Sequence, residues 1–172
     1  VSVGLRVLNG TYNVVVADNT FRTVDKSPSG SVECIQIQEG NLNKQLKNIT
    51  VVNNFIECRA NDNEVNGIRI MGGKDIIING NHILQTNETN SDTRATTGIQ
   101  IRKETNANEN ISITSNYIRG WLIRQIDVQD DEIDTLFISM NYLGRTIRGV
   151  SGLEISANEN VKLINNHLAI SR

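Results

Sequence analysis

A nine-residue pattern recurs six times along the chain: a small polar residue, two apolar residues flanking one variable position, two further residues, an Asn, one residue and a large apolar residue. The copies are NVVVADNTF (13–21), NITVVNNFI (48–56), DIIINGNHI (75–83), NISITSNYI (110–118), TLFISMNYL (135–143) and NVKLINNHL (160–168). Their starts lie 35, 27, 35, 25 and 25 residues apart. A constant module joined by spacers of varying length points to a stacked solenoid, in which each turn buries its apolar side chains against its neighbours.

Each block is preceded by a shorter apolar-x-apolar element: Leu5-Arg6-Val7, Ile35-Gln36-Ile37, Ile68-Arg69-Ile70, Ile99-Gln100-Ile101, Ile126-Asp127-Val128 and Leu153-Glu154-Ile155. Period-two alternation over three to five residues, rich in Ile and Val and broken by Gly, Asn and Asp, marks short strands and not helices. The block itself supplies a second strand, such as Ile76-Ile77-Ile78, and a third after its Asn, such as Tyr117-Ile118. Three short strands per turn and about six turns describe an all-β parallel β-helix. Residues 1–172 are expected to form a single domain, and a chain that opens without Met on a strand-like segment reads as part of something longer.

The repeated Asn residues, Asn19, Asn54, Asn81, Asn116, Asn141 and Asn166, fall once per turn. Asn tolerates the left-handed backbone conformation that a bend between strands often requires. Stacked about 4.8 Å apart, their amides can bond to one another along the solenoid axis. They are therefore expected to be structural.

Composition narrows the function. A net charge of −2 and a pI near 5.7, with acidic and basic residues interspersed, give no basic surface for nucleic acid or an anionic membrane. No run of eighteen apolar residues is present, so membrane insertion is not expected. Cys34 and Cys58 are too few for a disulfide scaffold, and their registers place them on different sheets, so they are expected to stay unbridged.

The repeats, notably GIRIMGGKDIIINGNHI (67–83) and GIQIRKETNANENISITSNYI (98–118), resemble those of the right-handed parallel β-helix superfamily, which includes pectate lyases, polygalacturonases and bacteriophage tailspikes. The resemblance covers nearly the whole chain. It implies a right-handed solenoid acting on a long polysaccharide laid along the outer face of one sheet. The Gly-His-Gly and Arg-Ile-Lys segments of polygalacturonases are absent, and so are the pectate-lyase signatures.

Two outward files carry the candidate chemistry. The first strands contribute Arg6, Gln36, Arg69, Gln100, Asp127 and Glu154. Asp127 and Glu154 fall on adjacent turns, near the separation of about 5–5.5 Å used by retaining glycosidases, and are the candidate catalytic pair. Two like charges that close can divide into an acid and a base. Arg69, Gln100 and Arg102 are candidates for holding sugar hydroxyls or carboxylates. The alternative for this file is a plain solvated face. The second file follows the ladder Asn and reads Thr20, Phe55, His82, Tyr117, Tyr142, His167. It is either ring-on-ring packing or, through Tyr117 and Tyr142, a sugar platform or subunit contact. The two His are too far apart to share a metal, so neither a metal nor a cofactor is expected.

The run Gln129-Asp130-Asp131-Glu132-Ile133-Asp134 matches no calcium loop and reads as a solvated turn. Polar loops at 59–66 and 86–97 are expected to line one wall of a groove, and Trp121 to be packed. The resulting expectation is a segment of a bacteriophage tailspike or receptor-binding protein on the virion tail. The resemblance implies a homotrimer, and the expected role is recognition of bacterial surface polysaccharide, with cleavage as an open extension. The alternatives are a secreted polysaccharide lyase or glycoside hydrolase, and a structural fibre spacer.

Overall fold

The computed structural model describes residues 2–8, 10–24, 31–40, 46–59, 64–86, 96–121, 123–144, 152–155 and 160–169. Among these described residues, eighteen strands form three parallel sheets of six. The first sheet contains β1 (Ser2–Leu8), β4 (Val32–Gln38), β7 (Val65–Met71), β10 (Thr96–Arg102), β13 (Arg124–Gln129) and β16 (Leu153–Ile155). The second contains β2 (Tyr12–Ala17), β5 (Lys47–Val52), β8 (Lys74–Asn79), β11 (Glu109–Thr114), β14 (Leu136–Ser139) and β17 (Val161–Ile164). The third contains β3 (Thr20–Val24), β6 (Phe55–Arg59), β9 (His82–Gln85), β12 (Tyr117–Arg119), β15 (Tyr142–Leu143) and β18 (His167–Leu168). Every strand pairs in parallel with the strand three places along, so the chain visits the sheets in rotation. This is the parallel β-helix of six turns and three strands per turn expected from the repeat.

The register stacks equivalent residues. Ile35, Ile68, Ile99 and Ile126 form one inward file, and Ile49, Ile76, Ile111 and Leu136 another. Ile56, Ile83, Ile118 and Leu143 form a third, and all twelve side chains are buried. Branched side chains of one shape suit such files, because a single χ1 rotamer repeats from turn to turn against like neighbours. At the far end the files run out, and inward Leu163 and Leu168 of the sixth turn are exposed.

A second set of inward positions lies just before the first file: Gly4, Cys34, Gly67, Gly98, Gln125 and Gly152. A Cβ on Gly67 would stand 2.5 Å from Ile83 Cγ2, and one on Gly98 2.4 Å from Ile118 Cγ2, so these glycines let the first sheet close on the third. The indole of Trp121, fully buried, lies beside both and donates to the Ile83 carbonyl at 3.3 Å. Where the position is not Gly, its side chain makes a link toward the third sheet. Gln125 donates to the Gly144 carbonyl at 2.8 Å, and Cys34 forms a disulfide with Cys58. The expectation of unbridged cysteines is thus corrected. The two do belong to different sheets, but the lumen is narrow at this corner and their Cα atoms are 6.9 Å apart.

The Asn ladder is present and directional. Each side-chain amide donates to the side-chain oxygen of the next turn, from Asn19 to Asn54, Asn81, Asn116, Asn141 and Asn166, at 3.0–3.2 Å. The same oxygen accepts the preceding turn's backbone N–H at 2.9–3.1 Å. The left-handed conformation, however, belongs to the residue before the ladder Asn: Asp18, Asn53, Gly80, Ser115, Met140 and Asn165, with φ between 50° and 65°. A left-handed residue there makes the bend and leaves the ladder residue free to point inward. A second left-handed column, Asn13, Asn48, Asp75 and Asn110, opens the second strand of the first four turns.

Candidate functional site

Asp127 pairs with Glu154 in register, as the spacing required, and Gln36, Arg69, Gln100 and Asp127 form one file. The file is not a solvated face. Gln36, Gln100 and Asp127 are 4%, 3% and 1% exposed, while Glu154 and Arg6 at its two ends are exposed. Strand alternation says which side chains leave the lumen; it does not say whether water reaches them. Arg69 is committed to the buried carboxylate of Glu33 through Nη1 at 2.8 Å. Arg102 is half-buried, and its carbonyl accepts from Asn108.

The carboxylate pair is bridged. Arg124, at the start of β13, donates Nε and Nη2 to Glu154 Oε2 at 2.6 and 2.5 Å and Nη1 to Asp127 Oδ2 at 3.4 Å. Gln129 donates to the same Asp127 oxygen at 2.6 Å. A guanidinium between two carboxylates cancels the repulsion on which an acid and base division depends. Arg124 was not singled out from sequence, although its position two residues before Ile126, diagonally below Glu154, was the available signal.

The third-sheet file stacks as its spacing implied. His82 and Tyr117 ring centroids are 5.4 Å apart, Tyr117 and Tyr142 4.7 Å, and Tyr142 and His167 5.2 Å, with interplanar angles of 29°, 5° and 14°. The two Tyr rings stand between the two imidazoles. Because the ring faces are turned on one another, Tyr117 and Tyr142 offer edges and hydroxyls outward, and no face for a sugar to stack on. Beside this file Glu57 is held by Arg59 at 2.7 Å and Arg22 at 3.2 Å, with Thr86 donating at 3.2 Å. The Arg59 hydrogen bond, above all, sets the Glu57 carboxyl below its ordinary range, against the opposing effect of burial.

The acidic run after β13 is a turn with Gln129, Asp131, Glu132 and Asp134 exposed, as expected, but not all of its members are solvated. Asp130 is fully buried and accepts from Asn108 N and Nδ2 at 2.8 and 2.7 Å and from the Glu132 N–H at 3.1 Å, while Ile133 is also buried. Glu39 stands at the equivalent point of the second turn, also buried, and takes Asn106. These carboxylates fasten the passage from the first sheet to the second. The polar loops are shorter than the sequence suggested: Thr96, Thr97 and Asn66 are buried strand residues, and 60–63 and 87–95, which were to line the groove, lie outside the described residues.

The second sheet carries an open surface that the sequence did not flag. Asn48, Thr50, Asp75, Ile77, Asn110 and Ser112 line a hollow of about 280 Å³ on its outer face. Thr50, Ile77 and Ser112 are register partners, and Ile77 is 46% exposed. The left-handed column forms its rim, with Asn48 Nδ2 donating to Asn13 Oδ1 at 2.9 Å and Asn110 Nδ2 to Asp75 Oδ1 at 2.6 Å.

No protein-family model, curated protein or solved structure matches this chain.

Proposed function

We propose that this chain is a segment of a bacteriophage tailspike or receptor-binding protein that recognises bacterial surface polysaccharide. The observation that supports it is the register: polar and aromatic side chains repeat once per turn in straight files about 4.8 Å apart, a rigid ruler for a polymer with its own repeat. Binding is favoured over cleavage, because Arg124 occupies the space between Asp127 and Glu154.

A second reading, a secreted lyase or glycoside hydrolase, rests on the in-register Asp127–Glu154 pair. Incubation with capsular or O-antigen polysaccharide separates the two. Binding with no shortening of the polymer, unchanged in Asp127→Asn and Glu154→Gln, supports recognition. Depolymerisation lost in both variants supports the enzyme and overturns the first reading.

A further inference from the structure

The hollow on the second sheet presents an unusual balance of hydrogen-bonding groups. Each rim amide spends one of its two N–H groups along the rim: Asn48 Nδ2 donates to Asn13 Oδ1, and Asn110 Nδ2 to Asp75 Oδ1. Oxygen acceptors predominate in what remains, with the second amide N–H groups and two hydroxyls as the donors. Among the described residues, the side-chain oxygens of Asn48 and Asn110, the second carboxylate oxygen of Asp75 and the hydroxyls of Thr50 and Ser112 take no hydrogen bond. In their midst Ile77 offers an exposed branched apolar surface. The six residues come from three successive turns and are fixed to stiff strands, so the arrangement is set before any ligand arrives.

We propose that this hollow binds one pyranose unit of a neutral, hydroxyl-rich polysaccharide lying along the solenoid axis. The assignment rests on the polysaccharide reading above and moves its site from the first sheet, where the outward file is closed, to the second. An apolar patch ringed by acceptors complements a sugar ring, whose C–H face packs on Ile77 while its hydroxyls donate to the rim. The volume, about 280 Å³, lies near the lower limit of small-ligand sites and suits a single ring. The same inventory selects against acidic sugars. A uronate, sulfate or phosphate would meet the Asp75 carboxylate and no cationic side chain among the six lining residues, leaving only neutral N–H and O–H donors to hold it.

The test uses the whole chain on an array of purified neutral and acidic bacterial capsular and O-antigen polysaccharides, followed by titration of the best neutral binder. Ile77→Glu places a charge on the apolar floor, and Asp75→Asn keeps a residue that tolerates the left-handed conformation while removing the carboxylate. Each is expected to weaken binding at least tenfold with an unchanged melting temperature. Lys162→Gln, farther along the same outward file, is expected to leave binding unaltered. Neutral-polymer binding that survives both hollow variants overturns the site while the polysaccharide reading stands. A preference for acidic or amine-bearing polymers that those variants abolish overturns the assignment of the hollow to a neutral sugar. No binding to any polysaccharide removes the reading and the site together.

Discussion

The side-chain amide of Asn116 donates to the side-chain oxygen of Asn141 at 3.0 Å, while the Asn116 oxygen receives both the backbone and side-chain N–H of Asn81. Its amide also reaches the Ile78 carbonyl at 3.0 Å. One buried side chain thus joins three turns. Asn116→Leu leaves the Asn81 backbone N–H without its acceptor in a dry interior and takes one donor each from Asn141 Oδ1 and the Ile78 carbonyl, while Asn81 Nδ2 keeps the Val51 and Asn79 carbonyls. The expected loss is at least about 1–3 kcal/mol, read as a lower midpoint in urea unfolding at unchanged slope.

Met140 is the one residue of the bend column that is neither Gly, Asn, Asp nor Ser, yet it holds φ at 53°. Its side chain is 60% exposed, so little packing is lost by replacing it. Met140→Asn is expected to stabilise the protein by about 0.5–1 kcal/mol, since left-handed backbone costs an ordinary residue roughly 1–2 kcal/mol. The reverse experiment is Gly80→Ala. Gly80 has φ at 65°, and a Cβ there would stand 2.6 Å from Asn53 Oδ1, so destabilisation is expected. Thermal melts of the two variants should move in opposite directions.

Glu57 links stability to pH. Its carboxyl is held low by Arg59 first, then Thr86 and Arg22, so the folded state binds its proton less readily than the unfolded chain does. Its contribution is therefore complete above the unfolded value of about 4.3 and disappears as pH falls through the lower folded value. Both arginines are well exposed, which limits the effect to under about 1 kcal/mol. Urea midpoints of wild type and Glu57→Gln should differ at pH 7 and converge toward pH 3.

The Cys34–Cys58 disulfide closes a loop of 24 residues. Native protein unfolded without reductant should show no alkylatable thiol. Replacing both cysteines with Ala should cost about 3 kcal/mol through the freed unfolded chain.

The architecture was legible in the sequence because inward positions such as Ile76, Ile78 and Ile83 and the ladder Asn81 repeat at fixed offsets, and parallel stacking makes offsets into files. The left-handed position was misassigned by one residue because Asn fills both positions at 53–54 and at 165–166, and because Ser115 and Met140, residue types seldom left-handed, point to the Asn that follows them; Gly80 was the signal for the true bend. The disulfide was missed because sheet membership was used as a stand-in for distance, although a triangular lumen brings different sheets together at each corner. The closed first-sheet face was illegible for a related reason. Alternation fixes the direction of Gln100 and Asp127, whereas their burial depends on packing over the sheet. The second-sheet hollow was hidden because Thr50, Ile77 and Ser112 line a common recess only once their strands are stacked, with Asn48 and Asn110 bonded along its rim to Asn13 and Asp75.

Every placement above depends on successive turns lying in step, and the third-sheet rings report that step directly. Nuclear Overhauser contacts among the ring protons of protein labelled at Tyr and His are expected between His82 and Tyr117, Tyr117 and Tyr142, and Tyr142 and His167, and absent between His82 and His167. A direct His82–His167 contact, or no contact between Tyr117 and Tyr142, would contradict the stacking and with it the assignment of both outer faces.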